Sequence, residues 1–314
     1  MANDRLEHVG KLREIFERVA TDRVRTTVTI HEFRDRMFRM ASMASFAKVI
    51  EYNVAVNHDS SLDISHAIMS GGLRGICEDL IALKFMLRFE PDTANEIIFA
   101  AMWSEMRSGI KRQRQFLPVN SPHQMIVGAL DILPNITVQA EEADQRLKDE
   151  WKKAGFTRRP KIETMAKGVS LDRLYDYLYF ATSNYTHHNI RTLFMTGWGP
   201  PEGGDTNFSS KNLSYYYHAF NSFYGALLYC GFVWSGLPID NLADHEAHAT
   251  AVEDVLKAVK WWPEIVTRDE MNLPKPHVGQ IMQAISIQMM EEPTGPTIFD
   301  DLKAAPPVWR PDQS

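Results

Sequence analysis

The chain has 314 residues, of which 44% are hydrophobic and 24% charged, and its net charge is −6 at pH 7. Such a chain can build a sizeable core without disulfides or a structural metal. The charge is uneven: residues 240–314 hold 13 acidic and 6 basic side chains, whereas the first 239 residues are nearly neutral. Because neither half is strongly basic, binding along duplex DNA is not indicated.

Helical periodicity dominates the sequence. Apolar residues recur at three- and four-residue steps, which is the pattern of amphipathic and buried helices. Residues 23–31 (RVRTTVTIH) have the β-branched composition of a strand, but one strand cannot make a sheet alone. The sequence therefore predicts an all-α, multi-helix bundle without a substantial sheet. The predicted helices cover residues 6–19, 31–56, 63–89, 92–118, 121–133, 138–154, 170–188, about 212 onward, 242–261 and 278–290.

Proline usage divides the chain into two parts. Half of the 16 prolines lie between Pro263 and Pro311. Proline interrupts both helices and sheets, so this region is expected to be largely irregular. We predict one helical domain over residues 1–262, followed by a proline-rich extension over 263–314 with one helix and a loose tail.

One uncharged stretch raises the question of a membrane span. No Asp, Glu, Lys or Arg occurs from Asn212 to Ile239. Asparagine, serine and glycine dilute this stretch, however, and neither flank carries a cluster of basic residues. We therefore expect a buried central helix.

Cys77 and Cys230 lie in apolar sequence surroundings and are expected to be buried thiols. The N-terminus has no apolar signal segment, so the protein is expected to be cytoplasmic and its thiols reduced.

The third predicted helix carries a charged pair among apolar residues. Arg74 and Glu78 are four residues apart, so they share one face, next to Ile81 and Phe85. Their local pairing contributes only about 0.2–0.5 kcal/mol, whereas burying either charge unpaired costs several kcal/mol. The two side chains are therefore expected to meet polar partners on another helix. The competing interpretation is a structural ion pair that sets the register between helices.

Suitable partners occur in the helix that ends near residue 188. Tyr179, Ser183, His187 and Arg191 are spaced by four residues, and the first three span only about 80° around a helix. Their phenol, hydroxyl and imidazole groups can each donate and accept a hydrogen bond. His187 is the group whose charge changes near neutral pH, whereas His188 faces about 100° away.

These two motifs resemble an uncharacterised all-helical family that is common in bacterial genomes. Between the motifs lies a basic segment with Trp and Lys, about seventy residues after the first. The similarity covers roughly residues 63–195 and is carried by Arg74, Glu78, Tyr179, Ser183 and His187. The resemblance implies a common site in these proteins, and it implies no particular reaction.

A helical binding or sensor module is the function that these features favour. The ligand would be a small molecule or a protein partner, in a bacterial defence or stress system. The uncharged helix and the acidic, proline-rich C-terminal part also fit an interface with a partner or in a homo-oligomer. The candidate catalytic residues are His187, Arg74 and Glu78, and the candidate binding residues are Tyr179, Ser183 and Arg191.

A metal-independent endoribonuclease is the alternative. The architecture is similar in outline to the HEPN-type helical nucleases, in which an Arg and a His at a helix end cleave RNA through its 2′-hydroxyl. Here His187 would act as general acid/base on single-stranded RNA. Arg74 or Arg191 would stabilise the phosphate charge. In those nucleases the arginine precedes the histidine, whereas here His187 precedes Arg191.

Metal and cofactor chemistry is not predicted. His245 and His248 lie three residues apart in an acidic helix, without the spacing of a metalloprotease and without a third fixed ligand. A site built from Glu78, Glu105 and His187 is not demanded by spacing. The basic segments 107–114 and 148–161 are interpreted as solvated surface.

Overall fold

A computed structural model describes residues 7–20, 36–58, 66–121, 134–186, 197–198, 207–209, 214–240, 242–264 and 296–306. Within these ranges the regular secondary structure is helical apart from one antiparallel pair of two-residue strands, which confirms the all-α prediction. The helices are α1 Glu7–Val19, α2 Met37–Asn57, α3 His66–Met86, α4 Pro91–Asn120, α5 Pro134–Lys153, α6 Ile162–Gly168, α7 Asp172–Thr186, α8 Ser214–Trp234, α9 Leu242–Ala258 and α10 Ile298–Lys303. The strands are β1 Gly197–Trp198 and β2 Asn207–Phe208.

Helix α8 is the centre of the bundle. Every residue from Tyr217 to Val233 is buried, and α1, α2, α3, α9 and α10 all pack against this helix. An uncharged, apolar helix suits this position, because all of its faces meet other helices. The predicted buried central helix is thus confirmed. Among the described residues, no helix is both long enough and apolar enough to cross a membrane.

Helix α3 lies between α8 on one side and α7 on the other. Its apolar face includes Leu73, Ile76 and Leu80, each no more than 1% exposed. The opposite strip, from Gly72 to Glu78, stays partly open to solvent. Apolar residues occur nearly all round α3 in the sequence, which predicts a helix buried on every side. The open strip differs from that prediction. Side chains of α2 and α7 reach this strip but cover it only in part: Tyr52 lies near Gly72, and Tyr179 lies over Arg74.

Helices α4 and α5 pack against each other as a long antiparallel pair. Ser104 on α4 donates a short hydrogen bond to Asp144 on α5, and Arg107 forms an ion pair with the same carboxylate at 3.1 Å. Helix α4 continues through Pro118 to Asn120, two residues beyond the predicted end. Helix α5 ends before Gly155, where φ is +86°, as predicted from the conformational freedom of glycine.

The C-terminal residues include a helix that the sequence does not predict. Residues 297–303, expected to belong to a loose tail, form α10, which begins with a capping box between Thr297 and Asp300. Its Phe299 and Leu302 are buried, at 5% and 0% exposure. A six-residue helix shows too few turns for its period to be recognised, and its stability comes from tertiary contacts.

A buried lysine holds α10 against the bundle. The ammonium group of Lys84 on α3 donates hydrogen bonds to the backbone carbonyls of Asp301 and Leu302, at 2.9 and 3.0 Å. These carbonyls lie at the C-terminal end of α10, where a positive charge is favourable. Burial lowers the pKa of Lys84 to about 8. On the outer side, Lys303 pairs with Glu253 at 2.8 Å.

Three further expectations fall on residues outside the described ranges. They are the strand-like segment 23–31 and the helices predicted at 121–133 and 278–290, of which only Ser121 is described, at the end of α4. Within the described ranges, α6 is an additional helix that the sequence analysis does not predict.

Candidate functional site

The candidate site is built around the guanidinium of Arg74 on α3. Its Nε donates a hydrogen bond to Oε1 of Glu78, one turn later on the same helix, at 2.8 Å. Both side chains are half-buried, with 25% and 30% of their surface exposed. The predicted local pair therefore forms in a partly screened environment, where it contributes little to stability.

Helix α7 supplies the second side of the site. The Nη1 group of Arg74 lies 3.4 Å from Oγ of Ser183, a long hydrogen bond that joins residues 109 positions apart. The guanidinium carbon also lies 4.3 Å from the ring centre of Tyr179, within the range of a cation–π interaction. The structure thus brings together Arg74, Glu78, Tyr179 and Ser183.

A further tyrosine adds to this aromatic side. The rings of Tyr175 and Tyr179 are 5.5 Å apart and tilted by 44°. Burial raises the pKa of Tyr175, and the negative charge of Glu78 raises it further. The four-residue spacing from Tyr175 to Tyr179 is the sequence signal that identifies this residue.

The neighbours of Arg74 favour its charged form. Partial burial acts to lower its pKa, but the hydrogen bond that Arg74 donates to Glu78 and the charge of that carboxylate outweigh it, so the pKa of Arg74 is raised. Arginine is in any case protonated throughout the physiological range. The site therefore combines one permanent positive charge, one carboxylate and several hydroxyl groups.

The candidate site is open to solvent. Tyr179 is 39% exposed, and its neighbour Phe180 is 58% exposed. Arg74 and Glu78 keep a quarter or more of their side-chain surface accessible. A sealed ion pair that only sets helix register would not need this access, so the geometry is compatible with a ligand reaching the guanidinium.

Two of the predicted site residues, His187 and Arg191, lie outside the described residues, as does His188. Their proposed roles in catalysis and binding stay predictions. Of the site residues predicted from the sequence, four are described, and these four are in mutual contact through Arg74.

A family comparison matches the same part of the molecule. The model of the DUF5677 family matches residues 42–201, just over half of the chain, which includes the α3 and α7 motifs. The chain belongs to the DUF5677 family. It is a family of unknown function, which agrees with the resemblance to an uncharacterised all-helical family. Searches of curated proteins and of solved structures gave no match.

His245, Cys77 and Cys230 lie in the core, outside this site. His245 is buried and lies 3.0 Å from the hydroxyl of Tyr229, with its ring edge-on to Phe46. Cys77 and Cys230 are buried free thiols, as predicted, and burial raises the pKa of both. Buried, protonated thiols are poor nucleophiles.

The metal-site alternative gains no support within the described ranges. No group of three or more His, Cys, Asp or Glu side chains there is arranged to hold a metal ion. Glu105, which the sequence analysis considered beside Glu78, pairs instead with Arg159 at 3.4 Å.

A buried polar cluster lies between α2, α3 and α8 and is not predicted from the sequence. Its hydrogen bonds run from Asn53 to the carbonyl of Gly225 at 2.9 Å, from Asn221 to the carbonyl of His66 at 2.7 Å and from Ser222 to Asn57 at 2.5 Å. Polar residues at four-residue spacing inside apolar helices, such as Asn53 and Asn57, are the signal for it. All of these groups are buried, so they specify how the helices pack rather than form an accessible site.

Two histidines extend the same cluster. The ring of His218 stacks on that of His66 at 4.2 Å, and its Nε2 lies 2.9 Å from the carbonyl of Val56. Burial lowers the pKa of His218. The imidazole therefore stays neutral at neutral pH, as a core position requires.

Proposed function

We propose that the protein is a helical binding module whose ligand contacts Arg74 on the partly exposed surface where α3 and α7 meet. The observation that carries this proposal is the orientation of the guanidinium. Glu78, Ser183 and Tyr179 hold it from three directions, while a quarter of its side chain reaches solvent. A pre-oriented guanidinium loses little entropy when it binds a further acceptor.

The groups around Arg74 restrict the chemical class of the ligand. Arg74 and Glu78 together carry no net charge, so a highly charged anion gains no long-range attraction here. The guanidinium has five N–H donors, and two of them are used in the bonds to Glu78 and Ser183. The partly exposed ring of Tyr179 lies beside the guanidinium. A small molecule with a carboxylate or phosphate oxygen and a planar group fits these surroundings best.

Replacing Arg74 by lysine tests this proposal. Lysine keeps the charge but lacks the planar fork of donors, so we expect binding to weaken by about tenfold or more, or ~1.4 kcal/mol. Nucleoside monophosphates, amino acids and dicarboxylates would be screened by thermal shift on the wild-type protein. The strongest binder would then be titrated calorimetrically into wild type and variant.

Arg146→Lys is the matched control, because Arg146 forms the same type of ion pair with Glu142 on the surface of α5, at 2.7 Å. This control should bind like wild type. The proposal fails if none of the three compound classes shifts the melting temperature, or if the two variants bind equally well.

An endoribonuclease is the second candidate function. The Arg74–Ser183 contact favours it, because His187 follows Ser183 by four residues in the sequence. In this reading His187 transfers the proton and Arg74 stabilises the phosphate charge. Wild-type protein should then cleave single-stranded RNA in the presence of EDTA, and His187→Ala should be at least about 100-fold slower. Equal rates, or no cleavage by either protein, would exclude this function.

A further inference from the structure

Helix α4 extends well beyond the core of the bundle. Its buried residues are Ala94, Ile97 and Ala100, all in its first third. The remaining twenty residues, 101–120, span about 30 Å, and α5 packs along them. A helical segment that buries so little of its own surface gains little from the fold, which raises the question of what its exposed side chains do.

This projecting segment is basic in a protein that is acidic as a whole. Residues 101–120 hold four basic residues and one acidic residue, a net charge of +3, against −6 for the whole chain. The side chains of Lys111, Arg112 and Arg114 are all exposed. Arg107 is half-exposed beside Asp144, so the positive charge is concentrated on the distal half of α4.

The same segment carries exposed apolar side chains. Among the described residues, eight large hydrophobic side chains are exposed, and three of these lie within fourteen residues of α4. They are Met106, Phe116 at 64% exposure and Val119 at 82%. At 100° per residue, Arg112, Phe116 and Val119 share one strip of the helix, so a guanidinium and an aromatic ring are neighbours there.

On an ordinary solvated helix surface, basic side chains are usually paired with acidic ones on the same helix. Several exposed bases elsewhere pair with an acidic residue within one helical turn, as in Glu7–Lys11, Glu142–Arg146 and Glu163–Lys167. No acidic residue lies three or four positions before or after Lys111 or Arg112 in the sequence. Helix α4 therefore offers these two bases no acidic side chain at the spacing of the local pairs on the other helices.

We infer that the distal half of α4, residues 107–119, binds single-stranded nucleic acid. Lys111, Arg112 and Arg114 contact phosphates, and the Arg112–Phe116 strip stacks on exposed bases. Single strands are bound in this way, by positive charge along the backbone and by aromatic or guanidinium planes against unpaired bases. An acidic peptide would not need the exposed aromatic ring, and a membrane would need a broader apolar face. This inference does not depend on the candidate site at Arg74.

Fluorescence anisotropy with the full chain and a labelled, mixed-sequence single-stranded RNA tests the inference. The triple variant Lys111→Gln/Arg112→Gln/Arg114→Gln should bind at least about tenfold more weakly. Its slope of log affinity against log salt should fall by about 2, since each phosphate contact on a single strand contributes about 0.7. Phe116→Ala should weaken binding about tenfold without changing that slope, because stacking is not an ionic contact.

The control triple Lys148→Gln/Lys152→Gln/Lys153→Gln removes the same charge from exposed positions of α5 and should bind like wild type. Circular dichroism on each variant checks that helix content is retained. No RNA binding by wild type at low salt, or equal losses in the two triple variants, overturns the inference. It is also overturned if a duplex of the same sequence, polyglutamate or anionic vesicles bind as tightly and Phe116→Ala has no effect.

Discussion

Replacing Trp151 by alanine is expected to lower the free energy of unfolding by about 3–5 kcal/mol, the range for large aromatic side chains in a core. Trp151 is only 2% exposed, at the end of α5. Its ring packs edge-on to Phe89 and Phe156, with centroids 6.2 and 5.8 Å away. These contacts join α5 to the end of α3, so the variant should lose both buried area and the anchor of the α4–α5 pair.

Urea denaturation of wild type and Trp151→Ala measures this difference. Trp261→Ala is the matched control, since Trp261 is 62% exposed and exposed substitutions usually change stability by less than about 0.5 kcal/mol. A loss below about 1 kcal/mol for Trp151→Ala would show that the aromatic cluster does not hold α5 in place.

Replacing Gly225 by alanine is expected to destabilise the protein by about 1–3 kcal/mol, the usual cost of inserting a group into a packed core. A methyl group at this position would lie 2.9 Å from Oδ1 of Asn53 and 3.0 Å from the ring of Tyr52. Helices α2 and α8 would have to separate, which would also weaken the buried hydrogen bond from Asn53 to the Gly225 carbonyl.

Gly10→Ala is the control for this substitution. Gly10 is also in a helix, but no atom lies within 4 Å of a methyl group added there. Alanine should therefore stabilise α1 by up to about 1 kcal/mol through helix propensity. Thermal and chemical unfolding of both variants compare the two effects. If both substitutions changed stability in the same direction, close approach of α2 and α8 at Gly225 would not be the reason for this glycine.

Much of the fold follows from local patterns in the sequence. The uncharged stretch 212–239 contains the central helix α8, and Gly155 follows the end of α5, both as predicted. The short helices α6 and α10 were not predicted, because they have too few turns for a period to be visible. Their positions depend on contacts such as those of Phe299, which no local pattern encodes.

The candidate site was predictable in composition but not in accessibility. Four-residue spacing placed Arg74 with Glu78, and Tyr179 with Ser183, on common faces of two helices. Spacing cannot show whether those faces are covered, because coverage depends on how other helices pack. The partial exposure of Arg74 and Tyr179 is therefore a result of the tertiary structure. The same holds for the exposed distal half of α4, which was interpreted as ordinary solvated surface.

By itself, the sequence determined the all-α class, the buried central helix and the residues that face one another along α3 and along α7. These are local properties, because the 3.6-residue period acts within one helix. Only the tertiary structure decided that Arg74 meets Ser183, 109 positions away, and that α10 docks on Lys84. Contacts between distant segments depend on the packing of whole helices, in which many weak interactions are satisfied together.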